Sequence, residues 1–221
     1  MTRYFLEVAY RGTAYSGFQS QENANTIQQE VEQAFRTLQR NAVVLTGSSR
    51  TDAGVHALQN FFHFDFESPL HPQFVYKINA ILPSDIVVRS VKQVADDAHC
   101  RFDASSRVYE YFIYRSKDPF LEDRAWYFPY TLNREALQEA AALLMRYHDF
   151  TSFSKRNTQV KTFECSIMES SWRHQQDCLV YRVRANRFLR GMVRALVATM
   201  LQVGRGTLSL EDFTAVIDAK D

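Results

Sequence analysis

The sequence predicts an α+β fold whose sheets are largely antiparallel. Two observations support this class. Apolar residues recur at the spacing of amphipathic helices in some segments, whereas in others they alternate with polar residues, as in half-buried strands. Both kinds of segment occur in each half of the 221-residue chain. A strand with one apolar and one polar face is common in antiparallel sheets.

The N-terminal half begins with a strand-like segment at residues 4–9. A helix is predicted next, because Thr26 with Gln29 three residues later resembles a capping box, and Asn25 is a second cap candidate. Its apolar face comprises Ile27, Val31, Ala34, Phe35 and Leu38. Strands are expected at residues 42–45 and 58–66. In the second, Phe62, Phe64 and Phe66 alternate with His63, Asp65 and Glu67, which predicts an apolar and a polar face.

The C-terminal half repeats this alternation of strands and helices. A tyrosine-rich strand is predicted at residues 108–115, and Asn133 is the cap candidate of a helix carrying Leu137, Ala140, Ala141 and Leu144. A third helix is predicted from Leu189, Met192, Val193, Leu196 and Met200. Ser209, with Asp212 three residues later, begins a last short helix. We place the boundary between the halves near Cys100, which gives units of 1–100 and 101–221.

The composition limits the kinds of partner, cofactor and cellular location that fit the chain. The chain is 46% hydrophobic, enough for a sizeable core, and its net charge of +1 means that a nucleic-acid partner needs a local basic surface. Three distant cysteines favour reduced thiols over disulfides, and scattered histidines predict no metal site. With no apolar run near the roughly 20 residues of a membrane span and no leader-like start, we expect a cytoplasmic protein.

Five arginines near the C-terminus form a candidate basic surface. At helical spacing Arg187, Arg190 and Arg194 would share one face, and Arg182 and Arg184 lie on one side of the preceding strand. They are either a solvated surface or part of a groove that contacts phosphates, with one arginine turned towards a carboxylate. Spacing alone leaves both interpretations open.

The polar segment 46–57 concentrates the chemistry. It lies between two predicted strands and reads Thr-Gly-Ser-Ser-Arg-Thr-Asp-Ala-Gly-Val-His-Ala. An isolated Asp-Ala-Gly is usually a plain turn. Taken whole, however, residues 50–56 closely resemble the active-site loop of the TruA-type tRNA pseudouridine synthases. The resemblance continues in order at residues 10–21, 79–83, 101–111, 149–153 and 186–194.

The resemblance assigns roles to individual residues. It implies that Asp52 is the nucleophile or base, that Tyr109 is the active-site tyrosine and that Arg194 is the partner of the catalytic carboxylate. It also implies that Arg50 is the side chain that displaces the target base. Further substrate contacts are expected from Arg107, Arg187 and Arg190. Without the resemblance, the default interpretation of Tyr109, one of 11 tyrosines, is an ordinary exposed sheet tyrosine.

The resemblance also implies the reaction and its setting. Uridine in the anticodon stem-loop of tRNA, at positions 38 to 40, is isomerised to pseudouridine without cofactor or metal. The expected enzyme is a homodimer whose protomer has two RNA-recognition-like α+β halves lining a basic cleft. The attacking carboxylate acts at C1′ of the sugar, at C6 of the base or on the C2′ proton, and the sequence leaves these routes open.

The sequence departs from the family pattern at several positions. Arg11 replaces an acidic residue, Phe18 replaces tryptophan and Ser49 stands where glycine is usual. None of these changes removes a proposed catalytic group. The C-terminal half is expected to lack the family's final strand, typically Gly-Leu-Tyr-Leu-like, which closes the site.

Two other classes of function fit parts of the sequence. A non-catalytic RNA-binding module of the same fold would have the basic strands and aromatic residues, but it would not need the loop at residues 50–52. A hydrolase using Asp52 and His56 is less favoured, because the sequence places no second carboxylate or nucleophile.

Overall fold

The computed structural model describes residues 1–156 and 160–221, which form two compact units, Met1–Ala104 and Ser105–Asp221. Each unit contains helices and one four-stranded sheet. All described strand pairs are antiparallel except β5 with β6. The predicted α+β class with largely antiparallel sheets is therefore confirmed.

The first unit has strand order β2-β3-β1-β4, with two helices packed on its sheet. Its elements are β1 (Thr2–Tyr10), α1 (Ile27–Gln39), β2 (Thr46–Gly47), β3 (Ala57–Phe66), α2 (Phe74–Asn79) and β4 (Ile86–Gln93). The predicted cap of α1 is confirmed, because Thr26 accepts from the Gln29 amide. Phe35 of α1 contacts the rings of Phe64, Phe66 and Phe74, so the helix lies on the phenylalanine face of β3.

The second unit has strand order β6-β5-β8-β7 and three helices. Its elements are β5 (Arg107–Tyr114), β6 (Trp126–Tyr127), α3 (Arg134–Leu144), a 3-10 turn (Thr151–Phe153), β7 (Ile167–Gln175), β8 (Cys178–Ala185), α4 (Met192–Gly204) and α5 (Leu210–Ala219). The predicted caps at Asn133 and Ser209 are confirmed. One face of the sheet and the three helices form the core.

The predicted strand at residues 42–45 is wrong, since the short strand lies at Thr46–Gly47 instead. The backbone groups of Leu45 bind side chains of α1: its amide donates to Glu32 and its carbonyl accepts from Gln28. These contacts satisfy the backbone hydrogen-bonding groups of Leu45 without a neighbouring strand.

The expected polar face of β3 also needs correction, because His63 is buried. Its ring centroid lies 4.4 Å from that of His99, and its Nδ1 lies 3.2 Å from the Cys100 sulfur. The segment at residues 99–100 thus covers part of the face that alternation assigns to solvent. Burial lowers the pKa of His63, because the charged ring would lose hydration.

Helix α4 begins later than its apolar spacing predicts. It starts at Met192, after Gly191 with a φ of 78°, and Leu189 precedes it. Arg187 and Arg190 therefore lie in the connection from β8, whereas Arg194 lies in the first turn of the helix. The predicted shared helical face of these three arginines is wrong.

Candidate active site

The loop at residues 48–56 connects β2 to β3 in the first unit. It is shorter than the predicted loop of residues 46–57, because β2 includes the first two of those residues and β3 begins at the last. Its central turn is closed by the Val55 amide, which donates to the Asp52 carbonyl at 3.2 Å. Gly54 has a φ of 78°, a conformation that residues with a Cβ rarely adopt. The turn holds Asp52 at its start, partly exposed.

Thr51 attaches the loop to the body of the unit through both its main chain and its side chain. The Thr51 carbonyl accepts from the Phe18 amide at 3.1 Å. Its Oγ1 is hydrogen-bonded to the hydroxyl of Tyr10, at the end of β1, at 2.8 Å. The residue between Arg50 and Asp52 is thus fixed at two atoms.

The other end of the loop is attached to the segment that follows β1. His56 Nδ1 accepts from the Gly12 amide at 2.9 Å, and the Gly54 amide donates to the Tyr15 carbonyl at 3.4 Å. The Tyr15 hydroxyl donates in turn to Asp85 at 2.7 Å. Because Nδ1 is the acceptor, the neutral ring of His56 carries its proton on Nε2. The contact makes His56 a structural anchor of the loop.

Gly12 allows the backbones to approach closely, because a Cβ there would lie 2.1 Å from the Val55 carbonyl oxygen. We expect Gly12→Ala to lower the free energy of unfolding by about 1–3 kcal/mol, the range for overpacking. It should also speed hydrogen exchange at the Gly54 amide. Urea unfolding and amide exchange measure both effects.

Gly206→Ala is the matched control for this prediction. Gly206 has a φ of 71° and open space around it, so alanine there introduces backbone strain of about 1–2 kcal/mol without a clash. Loop exchange should stay unchanged in this variant. Equal protection of the Gly54 amide in both variants would contradict the role given to Gly12.

Tyr109 lies on β5 in the second unit, opposite Val183 of β8. It is half-buried, and its ring meets that of Phe188 edge-on, with centroids 5.1 Å apart. Tyr111 follows on the same face of the strand. Burial raises the pKa of Tyr111, and the charge of Arg194 opposes that rise. Arg194 is therefore close enough to Tyr111, on this face of the sheet, for its charge to act on the phenol.

The remaining arginines have separate environments. Arg107 donates to the Asn186 carbonyl at 2.9 Å, and Arg190 is exposed. Arg187 lies near Cys165. Burial raises the pKa of the Cys165 thiol to about 11, although the charge of Arg187 opposes this rise. Arg182 contacts Glu110 and Glu169, both at 2.8 Å. Of the two β8 arginines in the predicted basic groove, Arg182 is thus paired with carboxylates, whereas Arg184 is exposed and its Nε lies 3.9 Å from Glu169.

The predicted site residues are divided between the two units. Arg50 and Asp52 lie in Met1–Ala104, and Tyr109, Arg107, Arg187, Arg190 and Arg194 lie in Ser105–Asp221. The pairing of Asp52 with Arg194 therefore stays a prediction.

Sequence reasoning missed two residues that support the loop, Tyr10 and Asn60. Both are buried, and Asn60 donates to the Tyr10 hydroxyl. A signal for Asn60 was present in the sequence, because it continues the spacing of Phe62 and Phe64 on the apolar face.

Within residues 1–156 and 160–221, no group of three or more His, Cys, Asp or Glu side chains is arranged to hold a metal ion. In the same part of the chain, no helix has the length and apolar character needed to cross a membrane.

Comparison with known proteins identifies the class to which this fold and loop belong. A family model described as tRNA pseudouridine synthase matches residues 7–103 and 140–221. The chain therefore belongs to the tRNA pseudouridine synthase family, which confirms the resemblance found in the sequence.

Curated relatives agree over the full chain. It is 46% identical to tRNA pseudouridine synthase A of Parabacteroides distasonis, an alignment that covers 100% of this chain and 88% of the relative. It is also 46% identical to the protein of that name from Porphyromonas gingivalis, covering 100% and 90%. Identity to the Staphylococcus aureus protein is 36%, covering 99% and 83%.

Proposed function

We propose that this chain isomerises uridine to pseudouridine in the anticodon stem-loop of tRNA, at positions 38 to 40, with Asp52 as the attacking carboxylate. Membership of the synthase family supports the reaction. The relatives that align with the full chain are named tRNA pseudouridine synthase A, which supports tRNA as the substrate. The same membership favours an enzyme over a non-catalytic RNA-binding module or a hydrolase.

The observation that carries the proposal is the way the loop is held. Thr51 is bonded to the scaffold through its carbonyl and its Oγ1, while Arg50 is exposed and Asp52 partly exposed on either side of it. A fixed residue thus separates two accessible charged ones. A preorganised group of this kind reacts faster, because little further ordering is needed once substrate binds.

The chemistry needs few protein groups. Isomerisation breaks the N1 glycosidic bond, turns the base and joins C5 to C1′, with no net redox change. A carboxylate takes part by attack at C1′, by addition to C6 or by removal of the C2′ proton. The target base must first leave its stack, at a cost of a few kcal/mol. Arg50, exposed beside Asp52, is proposed to take the place that the base leaves.

Tyr109 is proposed to hold the turned base and to accept the C5 proton, directly or through water. Its half-buried ring already meets one aromatic neighbour, Phe188, edge-on. A tyrosine in this setting provides both a stacking face and a polar hydroxyl.

Arginines of the second unit are proposed to complete the site. Arg194 is the proposed partner of the Asp52 carboxylate. Contacts with the RNA are assigned to Arg107, Arg187 and Arg190, because phosphate contacts supply most of the sequence-independent affinity for nucleic acids. Shape and phosphates then hold the stem of the tRNA. We further propose a cytoplasmic homodimer that uses no cofactor.

Tritium release from tRNA labelled at C5 of uridine tests the proposal directly. We expect release with unmodified tRNA and no added metal or nucleotide, and mapping should place pseudouridine at positions 38 to 40. A matched tRNA with cytidine at those three positions should release no tritium. Modification confined to the T loop would overturn the substrate assignment, and binding without release would favour the RNA-binding module.

A further inference from the structure

Asn60 is an unusual residue for its place in the fold. It lies on the core face of β3, in register with Val8 and two residues before the fully buried Phe62. Its side chain is buried, with 6% of its surface exposed. A buried amide is unfavourable unless its donors and acceptor are satisfied, so a polar residue at this position requires specific partners.

Those partners connect Asn60 to the loop that carries Arg50 and Asp52. Its Nδ2 donates to the Ser49 carbonyl at 2.9 Å and to the Tyr10 hydroxyl at 3.2 Å. Its Oδ1 accepts from the Phe61 amide at 2.9 Å, which fixes the orientation of the side chain. Of the two hydrogen bonds that the Nδ2 donates, one therefore goes to the loop itself and the other to a side chain that contacts the loop.

Tyr10 continues the connection to Thr51. Its hydroxyl is 2.8 Å from Thr51 Oγ1. The tyrosine is itself held in place, because its ring stacks on Phe18 with centroids 5.7 Å apart, and Phe18 stacks on Phe62 at 4.5 Å. Such a ring has little freedom to follow a moving loop.

The pairing of β1 with β3 is irregular next to the side chains of Tyr10 and Asn60. Pairing of β1 with β3 runs from Val8 opposite Asn60 to Tyr10 opposite Ala57, which leaves one extra residue in β3. An irregularity of this kind re-aims side chains and is frequent next to active sites. It lies at the point where Tyr10 and Asn60 meet.

We propose that Asn60 is a positioning residue, which fixes the backbone on both sides of Arg50 by holding Ser49 directly and Thr51 through Tyr10. The inference rests on the proposed function and deepens it, because the side chains so presented are Arg50 and Asp52. Asn60 touches neither substrate nor reacting atoms in this assignment. Its loss should therefore lower kcat and leave KM and tRNA affinity nearly unchanged.

The test compares Asn60→Ala with Asn79→Ala. Asn79 is a matched control in the same unit, because its amide also makes two hydrogen bonds to the main chain, with the nitrogen and oxygen of Val88, both at 2.8 Å. We expect Asn60→Ala to reduce the single-turnover rate at saturating enzyme by about 10- to 100-fold, the scale for a misplacement near 1 Å. Asn79→Ala should lower the Tm and retain the wild-type rate.

Tyr10→Phe provides a second variant that keeps the buried ring and removes only the linking hydroxyl. It should also lower kcat at unchanged KM. In the double variant, Tyr10→Phe with Asn60→Ala, the two losses should combine to less than their product, because part of the effect of Asn60 passes through Tyr10 to Thr51. If Asn60→Ala is unfolded, Tyr10→Phe alone decides the matter by the same readout.

The possible results separate the inference from the proposed function. Wild-type chain that forms no pseudouridine would refute the function itself. Active wild-type enzyme with wild-type kcat in Tyr10→Phe and in folded Asn60→Ala would overturn the positioning role while leaving the function intact. A rise in KM at constant kcat would also overturn it, because that result indicates direct binding of the RNA.

Discussion

Asp52→Asn is expected to reduce pseudouridine formation by roughly 10⁴-fold or more, the scale seen when a group of a covalent mechanism is removed. Asparagine keeps the size and polarity of the side chain and loses the anionic oxygen that attacks the nucleoside. The affinity for tRNA should change by less than about threefold, because phosphate contacts elsewhere supply most of it. Tritium release measures the first quantity and filter binding the second.

Asp97→Asn controls for the loss of one negative charge. Asp97 is an exposed carboxylate in the same unit, so this variant has the same net charge as Asp52→Asn without touching the loop. It should retain wild-type turnover. Thermal unfolding of both variants checks that each is folded. A folded Asp52→Asn protein that still isomerises uridine at a substantial rate would contradict the proposed mechanism.

Helix α1 shows what the sequence predicts well. Five apolar residues at helical spacing and the Thr26–Gln29 capping pair are local features, and the structure places the helix at Ile27–Gln39 with that cap. The loop at residues 48–56 could also be predicted from the sequence, because its residues are consecutive and characteristic of the family. Local pattern and motif therefore located the helix and the loop that carries Asp52.

Contacts between distant residues account for what sequence reasoning missed. The bond between Asn60 and Tyr10 joins residues 50 positions apart, and neither residue type signals a partner by itself. The burial of His63 depends on the segment at residues 99–100, 36 positions away at its nearer end. The start of α4 has a local cause instead, because Gly191 in the left-handed region precedes the helix, although the apolar spacing continues back to Leu189. The first two corrections need tertiary structure, whereas the third depends on the backbone conformation of one glycine.

The second large effect is expected from Tyr109→Phe, because it deletes the hydroxyl proposed to accept the C5 proton. Turnover should fall by about 10²–10⁴-fold, the range for a lost acid–base group. Binding of tRNA should persist, since phenylalanine keeps the stacking face and the edge contact with Phe188. Tyr109→Ala should lose affinity as well. Single-turnover rates at saturating enzyme, with binding measured separately, distinguish the two substitutions.

Tyr111→Phe is the sharpest control for Tyr109, because Tyr111 lies two residues along the same face of β5 and also contacts the core of the second unit. Burial raises the pKa of Tyr111, which makes its phenol harder to ionise. We expect its loss to leave turnover near that of the wild type. Equal losses in both variants would mean that the effect comes from packing of the sheet face. Wild-type turnover in Tyr109→Phe would limit Tyr109 to stacking, and the proton acceptor would have to be sought elsewhere.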